Sequence, residues 1–270
     1  MEVNEDKVEA IVHHPGMSYA DYDVNGQPRL WNVMRMVGSA RWYSHHYPLD
    51  ESGRTFRDYA EMTSDRLTFM VTSEFIMTKK MYDHSIPKSP LCVKVQGGYI
   101  GNTSMNSIAT VTTATSEIEL IRNTNQIVSI NKSTRRPSPL PDWWKEKYTE
   151  SAKNHKSLKI DKFEKADNAG FYQNKVAWSD TDRNLHTNFS TYVRFCIDAA
   201  HHCAKEGTLK HFEENLKNGI NVVQLHFYQE SNEGDMLDVY CWEDPSNSKK
   251  IYFDIHIGEK SIFQSIMLLF

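Results

Sequence analysis

The chain aligns with itself. A shift of 159 positions lays "YADYDVNGQPRLWNVMRMVGSA" (19–40) over "WSDTDRNLHTNFSTYVRFCIDA" (178–199). Asp21 then meets Asp180, Asp23 meets Asp182, Asn25 meets Asn184, Arg35 meets Arg194 and Ala40 meets Ala199. An ordered D-x-D-x-N core followed by a matching apolar pattern constrains the fold more than composition does. Whatever one copy folds into, the other is expected to fold into too.

The flanking patterns have the same order in both halves. In the first, Leu30, Val33, Met34, Val37 and Ala40 recur at helical spacing, and Pro48 stops the helix. Runs rich in Val, Ile, Thr and aromatics follow at 66–81, 91–100, 103–115 and 126–135, which predicts strands. Gly97, Gly98 and Gly101 are read as one turn and Asn123 to Asn125 as another. In the second half a strand at 171–178 precedes a helix over 190–206. That helix carries Val193, Cys196, Ala199, Ala200 and Cys203 on one side and stops at Gly207. Strands are expected at 220–230, 235–242, 249–257 and 261–270. Strand, long helix, then several antiparallel strands, done twice, is an α+β plan. Two such copies are expected to pair their sheets edge to edge, which removes two exposed edges.

Between the copies, "RRPSPLPDWWKEKYTESAKNHKSLKIDKFEKAD" opens with closely spaced prolines and turns strongly charged, which is linker composition. The expected division is a first domain over 1–136, a linker over 137–168 and a second domain over 169–270. A short helix is expected in "PDWWKEKYTESAKN" with Pro141 in its first turn. Trp143 and Trp144 are expected to anchor the linker to the domain surface.

Bulk properties exclude several partner classes. The net charge of -4 gives no electrostatic reason to expect nucleic acid or an anionic membrane. No apolar run reaches the roughly 18 residues a membrane-spanning helix needs. The acidic "MEVNEDKVEA" resembles neither a secretory signal nor an Arg-rich transit peptide. None of the four cysteines (Cys92, Cys196, Cys203, Cys241) forms a C-x-x-C pair, so core packing in a reducing, cytoplasmic setting is expected. The pairs His13–His14, His45–His46 and His201–His202 suggest a metal at first sight. Adjacent residues on a helix point apart, so no metal is expected, and no cofactor.

The junction before the second helix is where chemistry concentrates. In an extended segment, side chains two apart share a face, so Asp182, Asn184 and His186 are expected to converge. The helix start that follows, capped by Asn188 or Ser190, favours negative charge and suits an oxyanion.

These residues resemble the hot-dog thioesterases, and most closely the tandem acyl-ACP thioesterases. That family carries D-x-N-x-H-V-N-N-x-x-Y at the strand-to-helix junction of its second hot dog. Here "DRNLHTNFSTY" matches at Asp182, Asn184, His186, Asn188 and Tyr192, with Thr187 in place of Val and Phe189 in place of Asn. The family's later Glu-Cys pair is matched by Glu230, with Ser231 in place of Cys. "TRRPSPLPDWW" resembles the family's "TRRL" segment through Arg135 and Arg136. The first copy has Gln27 where the second has His186, as in a copy that keeps the fold without the full site.

The resemblance implies tandem hot-dog domains, each a long helix wrapped by an antiparallel sheet. It also implies hydrolysis of an acyl thioester, on acyl carrier protein or coenzyme A, by a monomer or homodimer. Asp182, Asn184, His186 and Glu230 are the expected catalytic set. Glu230 or Asp182 would activate water directly or through His186, with Asn184 orienting water or carbonyl; direct attack by Asp182 is an alternative. Asn188, Ser231, Met34, Met70, Arg135 and Arg136 are expected to contact substrate, the methionines as an acyl lining and the arginines toward an acidic carrier or phosphate. The competing readings are a hot-dog protein that binds an acyl or aromatic ligand without cleaving it, and a dehydratase of related fold.

Overall fold

The computed structural model describes residues 1–270 and divides into two compact units. One comprises Met1–Ser18 with Met36–Lys159, the other Tyr19–Arg35 with Ile160–Phe270. The division therefore does not follow the contiguous blocks expected from composition. The first copy's D-x-D-x-N junction groups with the second unit, where Arg35 donates to the hydroxyls of Ser190 (3.1 Å) and Thr191 (3.4 Å).

The first unit holds β1 (Glu2–Asn4), β2 (Glu9–His14), β3 (Arg66–Met77), β4 (Leu91–Ile100), β5 (Ser104–Thr113) and β6 (Glu119–Asn131). They pair antiparallel in the order β1-β2-β4-β5-β6-β3. Helix α1 (Leu30–His46) follows the first D-x-D-x-N stretch, and its Met36, Val37 and Ala40 are buried. Leu91, Val93 and Val95 on β4, and Ala109 and Val111 on β5, present the alternating buried face that an amphipathic strand requires. Arg41 of α1 reaches β5, where its Nε donates to Ser107 Oγ at 3.2 Å. A short helix, α2 (Tyr59–Met62), precedes β3.

Helix α3 (Asp142–Ala152) begins directly after Pro141, whose fixed backbone suits a helix start. Trp144 is fully buried with Met62, Met105, Leu140 and Tyr148, and its Nε1 donates to the Arg57 carbonyl at 2.7 Å. Trp143 stays 40% exposed, so one of the two tryptophans anchors the segment.

The second unit contains β7 (Gly170–Lys175), α4 (Phe189–Lys205), a short α5 (Phe212–Leu216), β8 (Ile220–Phe227), β9 (Met236–Asp244), β10 (Asn247–Ile257) and β11 (Lys260–Leu269). Strand order β7-β9-β10-β11-β8 reproduces β2-β4-β5-β6-β3 of the first unit position for position. The helix stripe is the expected one: Val193, Cys196, Ala199, Ala200 and Cys203 are all buried against the sheet. Burial drives the Cys196 thiol well above its ordinary pKa, which suits an inert core cysteine.

Of the residues expected to form two turns, Gly101 does lie in the turn between β4 and β5, and the others are strand. Gly97 and Gly98 lie inside β4, where the register with β5 slips. Asn123 and Asn125 lie inside β6, buried, in a polar ladder with Ser73 of β3. Ser73 Oγ donates to Asn125 Oδ1 at 2.7 Å, and Asn123 Nδ2 donates to the Glu74 carbonyl at 2.9 Å. Partners about 50 residues away hold Asn123 Nδ2 and Asn125 Oδ1, while Asn123 Oδ1 is buried without one.

Candidate active site

The segment before α4 is a tight turn rather than an extended strand. The Asp182 N–H donates to the His186 carbonyl at 2.8 Å, and Leu185 N–H to the Asp182 carbonyl at 3.0 Å. The Asp182 carboxylate accepts the Asn184 N–H at 2.7 Å. Asp182, Asn184 and His186 therefore do not share one strand face, and the expected convergence of the three is corrected. Asn184 sits exposed at the turn, and Asp182 is occupied in shaping it.

The first copy shows the same turn. Asp23 N–H donates to the Gln27 carbonyl at 2.8 Å, and the Asp23 carboxylate accepts the Asn25 N–H at 2.8 Å. The bridge Thr181 to Thr187 has its twin in Tyr22 to Pro28. The repeated D-x-N is thus a folding element in both copies.

His186 and Glu230 do come together. After the turn, His186 and Thr187 run antiparallel to the loop that follows β8, with His186 bridging Asn232 and the Thr187 N–H donating to the Ser231 carbonyl at 2.8 Å. This pairing sets His186 Nε2 at 3.3 Å from Glu230 Oε2. Their side chains are 30% and 37% exposed, sheltered but open to a ligand.

Ser231 fixes this arrangement from beneath. It is fully buried, which corrects the expectation that it contacts substrate. Its hydroxyl bonds Thr187 Oγ1 at 2.7 Å and Tyr192 OH at 2.8 Å, and its N–H donates to Tyr192 OH at 3.0 Å. Burial, first of all, raises the Tyr192 pKa, so the phenol stays protonated. Its ring stacks on Phe263 at 5.0 Å. The two departures from the family pattern at Thr187 and Ser231 are therefore one feature, a hydroxyl pair inside a satisfied network.

Asn188 caps α4, its Oδ1 accepting the Ser190 N–H at 3.0 Å and the Ser190 hydroxyl at 2.8 Å. It is a structural cap here, not a free substrate contact, and the Ser190 N–H is already bonded within the chain. The helix still brings its positive end to this corner.

The remaining expected contacts are dispersed. Met34 is fully buried in α1, and Met70 is half-buried on β3 opposite Ile127. Arg135 takes a left-handed backbone (φ 56°) and lays its guanidinium over the Phe69 ring at 5.0 Å, while Arg136 is exposed. Closer to α4 are cations to which the sequence reading gave no role. Arg35, Lys175 and Arg194 line a groove of about 480 Å³ with Trp31, Asp180 and Phe195, and Arg194 pairs with Asp180. The repeat had aligned Arg35 with Arg194, and that was the available signal.

The fold is the double hot dog of the acyl-ACP thioesterases. A solved acyl-ACP thioesterase from Bacteroides thetaiotaomicron superposes with a TM-score of 0.73 at 13% identity, over 99% of this chain and 100% of that one. The 12:0-ACP thioesterase from Umbellularia californica superposes with a TM-score of 0.70 at 16% identity, over 97% and 93%. Residues 176–266 match the model of the Thioesterase-like superfamily, a stretch that includes the whole candidate site of the second copy. No curated protein matches the chain by sequence. No helix is long and apolar enough to cross a membrane.

Proposed function

We propose that the chain hydrolyses an acyl thioester, releasing a free acid from the phosphopantetheine arm of a carrier protein or of coenzyme A. The site is assigned to the second hot dog, residues 169–270. The observation that carries the reading is the His186–Glu230 pair at 3.3 Å, set beside the start of α4. Water, held by this pair, attacks the thioester carbonyl carbon. Its proton passes to the pair, the carbonyl oxygen takes the negative charge facing the helix start, and the carbon–sulfur bond breaks on collapse. The stored proton then goes to the leaving thiolate. The groove lined by Arg35, Lys175 and Arg194 suits the phosphate of the arm, and the exposed Arg136 suits an acidic carrier. The thioesterase-like match over 176–266 supports the same activity class.

The test is release of free thiol from a panel of acyl chain lengths on both carriers. Turnover is expected on part of the panel. His186→Ala and Glu230→Gln are each expected to lower kcat at least about 100-fold, the usual contribution of a positioned acid or base, with melting unchanged. An inert wild-type protein across both carriers, with a ligand carried through purification, would establish binding without hydrolysis instead.

A further inference from the structure

The first unit contains a buried cation that folding alone does not explain. Arg57 and Asp58 both take left-handed backbone, at φ 58° and 48°. This turns the Arg57 guanidinium inward until the residue is 4% exposed. The guanidinium lies over the rings of Trp144 (4.8 Å) and Tyr148 (5.4 Å). On β4, Gly97 makes room for it: a Cβ there would stand 2.6 Å from Arg57 Cζ.

No protein acceptor meets Nε or Nη2 of Arg57. These two nitrogens form one edge of the guanidinium, the edge that grips a planar two-oxygen acceptor. The nearby acids are engaged elsewhere. Asp58 accepts from Lys147 Nζ (2.6 Å) and Tyr148 OH (2.8 Å), and Glu5 pairs with Arg54 at 2.6 Å. Burial lowers the Arg57 pKa to about 10, which still leaves it charged at neutral pH. A buried charge without an anion is costly, and chains rarely keep one unless something pairs with it.

Arg57 also lines a cavity of about 190 Å³ whose other walls include Val3, Val8, Leu49 and Phe56. Glu5, Arg54, Lys147 and Tyr148 complete the lining, so the cavity joins the Arg57 guanidinium and two further cations to hydrocarbon, with one carboxylate, already paired to Arg54. We propose that this cavity binds a small organic carboxylate, with its two oxygens on the Nε–Nη2 edge of Arg57 and its hydrocarbon part against Val3, Val8 and Leu49. Inorganic phosphate has no apolar part to place on those walls. The proposal stands whether or not the second unit hydrolyses thioesters.

The experiment titrates full-length protein with sodium hexanoate, inorganic phosphate and hexanol, by calorimetry and by thermal melting. Hexanoate is expected to bind one-to-one and to raise Tm with concentration, as a ligand of the native state must, while phosphate and hexanol do neither. Arg57→Met is expected to weaken hexanoate at least tenfold, and His186→Ala to leave its binding unchanged. If Arg57→Met does not fold, Gly97→Ala replaces it, since the added methyl displaces the guanidinium; the same tenfold loss is expected. The proposal is overturned if hexanoate does not bind, if phosphate or hexanol binds equally well, if binding survives the change at Arg57 or Gly97, or if it is lost in His186→Ala.

Discussion

The turn at Asp23–Gln27 and the turn at Asp182–His186 share three hydrogen bonds and differ in a fourth, which the Gln27 N–H gives to the Asp23 carboxylate at 2.8 Å. In both, a carboxylate accepts the N–H two residues on, and the chain closes back on itself. The first turn places Gly26 at φ 71°, and the second places Leu185 at φ 65°. Glycine adopts that backbone freely, whereas leucine meets its own Cβ there, at a cost of roughly 1–2 kcal/mol. Leu185 is 70% exposed, so burial does not offset the strain. After the turn the copies diverge further. Thr187 has an N–H to give Ser231, and Pro28 has none. Gln27 directs its Nε2 to the Lys217 carbonyl (3.5 Å), whereas His186 faces Glu230. The comparison teaches that the repeated motif builds the turn, and that the second copy adds to it the His186–Glu230 pair on which the proposed hydrolysis rests.

The largest expected effect comes from making the second turn like the first. His186→Gln is expected to lower kcat about 100-fold or more with little change in Tm; retained turnover would move the site elsewhere. The next comparison sets α1 against α4. His45 of α1 aligns with Ala204 and is buried, with its Nδ1 on the Arg41 carbonyl at 2.8 Å. Burial, reinforced by Arg57 and Arg41, lowers its pKa to about 3. The native state holds it neutral while the unfolded chain binds a proton below about pH 6.5. Stability is thus fully present above pH 6.5 and declines as pH falls toward 3, by about 1.4 kcal/mol per unit. His45→Gln should flatten this slope in acid unfolding curves, and an unchanged slope would remove His45 as its source.

A smaller effect tests the hydroxyl pair. Ser231→Ala leaves Thr187 Oγ1 and Tyr192 OH short of a partner and is expected to cost about 1–3 kcal/mol. The double change Thr187→Val with Ser231→Cys should be milder than the two singles summed, with coupling of about 0.5–3 kcal/mol in a denaturant cycle. Strict additivity would dissolve the pair. The smallest effect is Leu185→Gly, which relieves the left-handed strain and is expected to stabilise by about 0.5–1 kcal/mol after the added chain entropy is counted. A loss of stability would show that Leu185 has contacts of its own that outweigh the strain.

The repeat, the helix stripe from Val193 to Cys203 and the strand runs were legible because each rests on local periodicity. Asn123 and Asn125 misled because asparagine signals a turn only while nothing distant satisfies its amide, and Ser73 does so here. Asp182 and Asn184 misled in the opposite direction. Alternating polar residues read as one strand face, and the one mark of a left-handed residue at 185 is its twin in the first copy, Gly26. The approach of Glu230 to His186 came from resemblance, since the two are separated by two helices and a strand. Arg57 was illegible, because its isolation depends on Gly97, Trp144 and where Asp58 turns.

Pro28 gives the duplication a direction. A histidine placed at position 27 would still be followed by a residue with no proton to lend the backbone. The strand-like pairing that holds His186 beside Glu230 starts from the Thr187 N–H, so the first copy lacks the tether as well as the imidazole.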